Sequence, residues 1–230
     1  MFEEKRITLV MPVLNEVDGL SAVLKSVPGY IDETIIVDNG SIDGSVAVAE
    51  SFDIRLIHQP IRGYGSAITA GVLQSQGDVV IISDADCTYP IDKIGEILAF
   101  MQRGSFDFVS GSRFPLDNAK AMPRLNLIAN HFVSWLARIL FRVSICDLES
   151  GFMFFNRDMF KVTGIESLGM EFSQEFKIRA WLSGRKCAEI HIPYNARMGK
   201  TKFRKIKDVA RNFINLIKLT QRLKKLPVHG

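Results

Sequence analysis

Cysteine is scarce in this chain. Its 230 residues hold three, Cys87, Cys146 and Cys187, odd in number, far apart and without a CxxC pair. That excludes a disulfide framework and a cysteine-built zinc site, and it predicts a reducing, cytoplasmic setting. Long apolar runs are missing too. The longest candidate, Phe132 to Cys146, is interrupted by Arg138 and Arg142, short of the roughly 18 apolar residues that mark a bilayer span, so no transmembrane helix is expected. Met1 to Arg6 lead straight into a strand with no apolar signal core, so no secretory leader is expected. No internal repeat or low-complexity linker interrupts the sequence, and a hydrophobic fraction of 47% is ordinary for a folded domain. The glycines of Arg62-Gly63-Tyr64-Gly65 have neither GxGxxG spacing nor a P-loop lysine, which argues against a dinucleotide fold and an NTPase.

Acidic residues are scarce at one end. Gly199 to Gly230 hold ten Lys or Arg and one Asp, a local +9 in a chain whose total is +4, so the remainder carries −5. A basic tail on an acidic body points to an anionic partner: a membrane surface, phosphates or nucleic acid.

What is present is an alternation of strands and helices. Ile7–Met11, Thr34–Val37, Ile54–Ile57, Val79–Ile82 and Phe106–Ser110 read as strands, with helical patterns at Val17–Val27, Gly44–Ser51 and Gly65–Ser75. This βαβα rhythm predicts an α/β fold, a mostly parallel sheet with helices on both faces. The second half is less regular: a helix over Leu125–Phe141, a strand over Gly151–Phe155, a helix over Glu171–Leu182, a strand over Ala188–Ile192 and a long basic helix over Phe203–Leu226. One main domain over 1–203 is expected, with 204–230 as a basic amphipathic helix.

Three predicted strands end in polar clusters: Asn15-Glu16, Asp38-Asn39-Gly40-Ser41 and Asp84-Ala85-Asp86. In a parallel sheet all three fall on one edge, where open α/β folds bind ligands. Asp84 and Asp86 sit two apart, so in extended backbone they point the same way. Two such carboxylates suit a hard divalent cation, Mg²⁺ or Mn²⁺, carrying substrate phosphates. A capped turn before a helix is the alternative for that pair. Asp38 and Asn39 offer acceptors to a base or ribose. The glycines at 63 and 65 suit a phosphate or sugar near a helix N-terminus, or else a plain loop.

These segments carry a resemblance. Val10-Met11-Pro12-Val13-Leu14-Asn15-Glu16, Val37 to Ser45, Arg62 to Gly65 and Gly77-Asp78 up to Asp86 resemble family 2 glycosyltransferases of GT-A fold. Val109 to Phe114, Asp147 to Phe152 and Tyr194 to Lys202 are similar to later motifs of the dolichyl-phosphate mannose synthase-like branch, which moves a sugar from a nucleotide donor to a polyprenyl phosphate. The resemblance implies a nucleoside cradle of Pro12, Val13, Glu16, Asp38 and Asn39, with Gly63 and Ala85 beside the donor. It implies a metal on Asp84 and Asp86, an acceptor-phosphate grip by Arg113 and Arg124, and closure over the phosphates by Arg197 and Lys202. Glu171 and Glu175 stand where family members carry acidic helix residues, either to orient sugar hydroxyls or as a solvated face. Two positions depart from the family pattern: Asn39 replaces an Asp, and Thr88 stands where the mannose synthases tend to have Gln.

A phosphate acceptor is already an anion and needs positioning more than a general base, and direct attack inverts the anomeric centre. The activity that the resemblance implies is transfer of a hexose, from GDP-mannose first, to a dolichyl-type phosphate with a β-linked product. UDP-glucose, UDP-N-acetylglucosamine or a glycan acceptor are the alternatives. The expected site of action is the cytoplasmic face of a membrane, held peripherally by Leu125–Phe141 and by the basic helix, whose Ile206, Val209, Phe213, Ile217 and Leu223 recur at helical spacing. That helix could equally pack on the body. A nucleotidyltransferase and a nucleic-acid-binding module are the rival classes; the latter lacks a binding motif, so no nucleic-acid partner is expected.

Overall fold

The computed structural model describes residues 5–199 and 205–223, the latter with side chains from Ile214 onward. Seven strands form one sheet in the order β3-β2-β1-β4-β6-β5-β7. They are β1 (Ile7–Val13), β2 (Glu33–Asp38), β3 (Arg55–His58), β4 (Val79–Ile82), β5 (Phe108–Ser112), β6 (Met153–Asn156) and β7 (Cys187–His191). All pairings are parallel except those of β6, which runs antiparallel between β4 and β5. The expected mostly parallel sheet is what forms.

Strand alternation divides the core. Leu9, Met11, Ile36 and Ile81 face α1 (Val17–Ser26), α2 (Ser45–Glu50) and α4 (Ile94–Arg103). Val10, Ile35, Val37, Val80 and Ile82 face α3 (Tyr64–Gln74), α6 (Asp158–Thr163) and α7 (Phe172–Leu182). Every residue of β4 is buried, as a run of four β-branched residues in a covered parallel strand requires. α7 is buried on almost all sides, down to Gln174, Glu175 and Lys177, which is why it shows no apolar stripe in sequence.

A third apolar cluster lies off the sheet. Val133, Ala137 and Phe141 of α5 (Arg124–Phe141) pack with Ile145 and Leu148, with Ile178 of α7, and with Leu216 and Leu219 of α8 (Lys205–Leu223). The described part of α8 is therefore seated on the body through one face, while Ile214 and Ile217 on it stay exposed. Ile206, Val209 and Phe213 have side chains outside the described residues.

Two helices were not expected from sequence. α4 carries an apolar set at Ile94, Ile97, Leu98 and Met101, a helical spacing hidden behind the acidic turn and Pro90. α6 is six residues long, too short to show a period. β5 starts at Phe108, not Phe106, whose ring instead stacks on Phe100 at 5.1 Å.

Candidate active site

The chain builds β1, β2 and β3 outward in one direction, then crosses by α3 to β4 on the other side of β1. The C-terminal ends of β1 and β4 thus flank a switch point, where such sheets leave a crevice for ligands. Val13 pairs with Asp38 and Val10 with Ile82, so the three polar clusters do meet on one edge.

The loops after β1 and β2 are stitched together. Ser41 Oγ accepts from Asn15 N at 2.9 Å, Asn15 Oδ1 accepts from Ile42 N at 2.8 Å, and Ser45 Oγ accepts from Glu16 N at 2.8 Å. Asp38 is buried and accepts from Gly40 N and Ser41 N at 3.2 and 3.0 Å, with His58 Nδ1 at 3.5 Å. Burial opposes its charge, but these donors outweigh it and hold the carboxyl below its usual range. Pro12 is partly exposed on β1, whereas the Val13 side chain is core, so Val13 can meet a ligand through its backbone alone.

Asn39 is placed differently from a base-reading side chain. Its Nδ2 donates to Gln59 O at 2.9 Å and to Ile61 O at 2.8 Å, and its Oδ1 accepts from Gly63 N at 2.7 Å. The carboxamide braces the 59–63 loop. At Gly63, φ is +142° and a Cβ would lie 2.1 Å from Leu168 O, so only glycine fits. Gly65 N and Ser66 N donate to Gly169 O and Leu168 O at 3.1 and 2.9 Å, and Ala67 N to Gly63 O at 3.0 Å. These first amides of α3 are capped by protein, so the two glycines serve close approach of the 167–169 loop rather than a phosphate at the helix end.

The acidic turn after β4 is packed tightly onto α1. A Cβ at Gly19 would lie 2.9 Å from Ala85 O and 3.1 Å from Asp86 Cα, and Ala85 itself is core. Asp86 Oδ1 accepts from both the amide, at 3.0 Å, and the hydroxyl of Thr88. Asp86 Oδ2 lies 2.7 Å from Arg197 Nη1, and Arg197 Nη2 also pairs with Glu16 Oε1. Asp84 shares a hydrogen bond with the Tyr64 hydroxyl. Burial first, and Asp86 second, push its carboxyl up to about 7 against the pull of Arg197. Two neighbouring carboxylates offering hard oxygen donors fit a divalent cation, which at Asp86 would have to share or displace the Arg197 contact. Among the described residues no three His, Cys, Asp or Glu side chains are grouped to hold a metal, so phosphate oxygens of a donor would have to complete the shell.

The other predicted cations separate. Arg113 is buried, its Nε and Nη2 each 2.7 Å from Asp147 oxygens and its backbone amide 2.9 Å from Oδ2. Burial disfavours both charges, but each partner stabilises the other, so Asp147 lies low and Arg113 high. A phosphate reaches Arg113 only through nitrogens not already on Asp147. Arg124 is exposed at the first residue of α5. Lys202 lies outside the described residues. Glu175 is spent on Arg179 and on Ser167 N, at 2.7 and 2.9 Å, and Glu171 accepts from Gly169 N at 3.3 Å.

Sequence reasoning missed an aromatic group that joins these parts. Tyr89 stacks on Phe152 at 5.2 Å and its hydroxyl accepts from Gly151 N at 2.7 Å. Tyr194 lies 5.7 Å from Tyr89 and under the Arg113 guanidinium at 5.2 Å. Both phenols lie in electrostatic reach of Arg113 and of Asp84. Spacing gave no signal for this, because Tyr64 at the start of α3 and Tyr89 and Tyr194 in two loops converge from distant parts of the chain.

Comparison with known proteins places this geometry. Residues 8–162 match the family model Glycosyl transferase family 2. The chain is 34% identical over 200 residues to a dolichyl-phosphate hexose transferase of Haloferax volcanii, covering 85% of this chain and 86% of that one. Among solved structures, glucosyl-3-phosphoglycerate synthase from Mycobacterium tuberculosis with Mn²⁺ and UDP-glucose superposes with a TM-score of 0.74 at 19% identity, over 99% of this chain and 82% of that one. The same synthase with Mg²⁺ and UDP gives 0.71. At that identity the likeness speaks for the fold, which is GT-A. With strand-end carboxylates gathered at the switch point of this sheet and the family model spanning most of it, the chain belongs to glycosyl transferase family 2.

Proposed function

We propose that this enzyme transfers a hexose from a nucleoside diphosphate sugar to a polyprenyl phosphate at a membrane surface, inverting the anomeric centre. The observation that carries the donor half is the meeting of Glu16, Asp84 and Asp86 with Arg197 at the ends of β1 and β4. The acceptor half is supported by the dolichyl-phosphate hexose transferase to which the chain is similar. GDP-mannose is the first donor reading. UDP-glucose is the second, favoured by the UDP-glucose complex of the fold neighbour.

Asp84 and Asp86 would hold Mg²⁺ or Mn²⁺. Such an ion supplies charge neutralisation for the departing nucleoside diphosphate. The chain's own residues do the rest. Asp38, fixed by backbone donors, and Glu16 position the nucleoside. Thr88 fixes the rotamer of Asp86, and Tyr64 holds Asp84. Arg197 meets the diphosphate as charge develops on it. Arg113 and Arg124 receive the acceptor phosphate, which attacks without a general base because it is already an anion, and Lys202 closes with Arg197 over the phosphates.

The lipid explains an apolar stripe that the body does not cover. Leu125, Ile128, Phe132, Trp135 and Ile139 recur at intervals of three and four along α5, all exposed, with Ile128 at 66% and Trp135 at 50%. No helix among the described residues is long and apolar enough to cross a membrane. A stripe of this kind, in a chain whose residues 199–230 carry a charge of +9, suits the interface of an anionic bilayer, with basic residues available for its headgroups.

The test is direct. Purified protein with Mn²⁺ or Mg²⁺ is given GDP- and UDP-hexoses and a short polyprenyl phosphate, and lipid-linked sugar is read by mass spectrometry. One donor should yield a hexosyl phospholipid with inverted configuration. No lipid product from any donor, or transfer to a free glycan instead, rejects the reading.

A further inference from the structure

The carboxylates of the donor site already share a cation from the chain. One guanidinium, that of Arg197, bridges Asp86 and Glu16, with Nη1 2.7 Å from Asp86 Oδ2. The segment that carries it is laid over the acidic turn by backbone hydrogen bonds. Met198 N donates to Asp86 O at 2.9 Å and Asn195 N to Thr88 O at 3.0 Å. Asp86 Oδ1 is taken by the Thr88 amide and hydroxyl, so both oxygens of this carboxylate are engaged. Any metal that is to bind Asp86 must compete with Arg197 for Oδ2.

The same guanidinium is incompletely satisfied. Arg197 Nε is buried and has no hydrogen-bond partner, one of few such atoms among the described residues. A buried cationic N–H on a guanidinium already set among the site's carboxylates calls for an acceptor that the protein does not provide. A diphosphate oxygen is of the right chemistry, since guanidinium binds phosphate through two parallel N–H groups.

We propose that Arg197 is a displaceable resident cation that keeps metal alone off Asp86 and cedes it when metal and nucleoside diphosphate arrive together. This rests on the assignment of Asp84 and Asp86 to the metal under Proposed function. A divalent ion arriving alone takes Asp86 from Arg197 and leaves a half-buried guanidinium with Glu16 and nothing new. An ion arriving with a diphosphate brings the acceptor that Nε lacks. Arg197 then exchanges one anion for another, and the two ligands bind with positive coupling. By linkage each raises the affinity of the other by the same factor. Arg197 thereby sets the order of loading and keeps the acidic turn assembled before loading.

The experiment measures Mn²⁺ binding to the full chain by electron paramagnetic resonance, alone and with saturating UDP or GDP. It compares wild type, Arg197→Gln and Asp86→Asn. Arg197→Gln should bind Mn²⁺ alone at least tenfold more tightly than wild type, and nucleotide should then raise its Mn²⁺ affinity by a smaller factor than it does for wild type. Asp86→Asn should lose Mn²⁺ binding under both conditions. If Asp86→Asn loses the ion but Arg197→Gln binds it alone no more tightly than wild type, the competition is refuted and the metal assignment stands. If Asp86→Asn binds Mn²⁺ as wild type does, the metal assignment fails and the resident-cation role fails with it.

Discussion

Asn39→Asp restores the residue that the family pattern favours at this position, and the structure says that it should damage the protein. In place of Nδ2, which donates to Gln59 O at 2.9 Å and Ile61 O at 2.8 Å, the variant presents an oxygen to two carbonyls. Two buried hydrogen bonds become two repulsive contacts in a side chain that is 5% exposed. Each acceptor left unsatisfied costs about 1–3 kcal/mol, so the loss should be about 3 kcal/mol, more if the new carboxylate stays ionised. The 59–63 loop carries Arg62, whose guanidinium lies against Gly40, so its loosening disturbs the cradle as a whole. Urea unfolding should show the midpoint falling with unchanged slope. Calorimetric titration should show UDP and GDP weakened by similar factors. If instead the variant keeps wild-type stability and changes the UDP-to-GDP affinity ratio tenfold or more, Asn39 reads the base and the bracing role is wrong.

Gly19→Ala should push the Ala85–Asp86 turn away from α1, because its Cβ would meet backbone atoms at 2.9 and 3.1 Å; kcat should fall at least tenfold, and unchanged turnover would count against the turn's geometry being critical. Ile128→Asp with Trp135→Asp should leave the melting temperature within a few degrees of wild type yet abolish co-sedimentation with anionic vesicles; persistent binding would move the membrane contact off α5. Lys177 is fully buried and donates to Asp147 O at 2.7 Å, and burial lowers its pKa to about 8 despite Asp147 and Glu189. Unfolded, it titrates near its ordinary value of 10.5, so between these values the unfolded chain binds more protons and stability rises with pH. From pH 8 to 9.5 the gain should be about 1.5 kcal/mol, and Lys177→Met should flatten that slope in denaturant titrations; an equal slope in the variant would assign it elsewhere.

Much of this site was legible because its carboxylates follow strands. β1, β2 and β4 show as apolar runs, and parallel pairing forces their ends onto one edge, so Glu16, Asp38, Asp84 and Asp86 could be grouped without coordinates. What sequence hides is which hydrogen bonds a residue has already spent. Arg113 and Asp147 are 34 residues apart, and their bidentate pair left no trace in either motif. Glu175, open in sequence between a sugar contact and a solvated face, is neither: it is buried and consumed by Arg179 one turn on. Gly63 and Gly65 left a phosphate site or a plain loop open, and the 167–169 loop that caps them lies a hundred residues further along the chain. Thr88, a departure from the family pattern, proves to be a double donor to Asp86.

The buried charges behind the site then acquire a reason. Burying an ion pair seldom gains stability over an apolar pair of equal volume, whereas removing one partner costs about 3–5 kcal/mol. Arg113 and Asp147 tie the end of β5 to the loop before β6, and Lys177 fastens the same Asp147 to α7 through its carbonyl. That loop delivers Gly151, whose amide holds the Tyr89 hydroxyl, and a side chain at 151 would strike the Tyr64 hydroxyl that partners Asp84. The placement of this loop therefore bears on the Tyr64 and Asp84 side chains of the acidic turn. An apolar replacement of Arg113 and Asp147 could match them in volume but would not orient the loop as a bidentate pair does. Asp147→Asn should thus lower kcat by more than its loss of stability accounts for, and a kcat unchanged at temperatures where the variant is fully folded would show the pair to be scaffold alone.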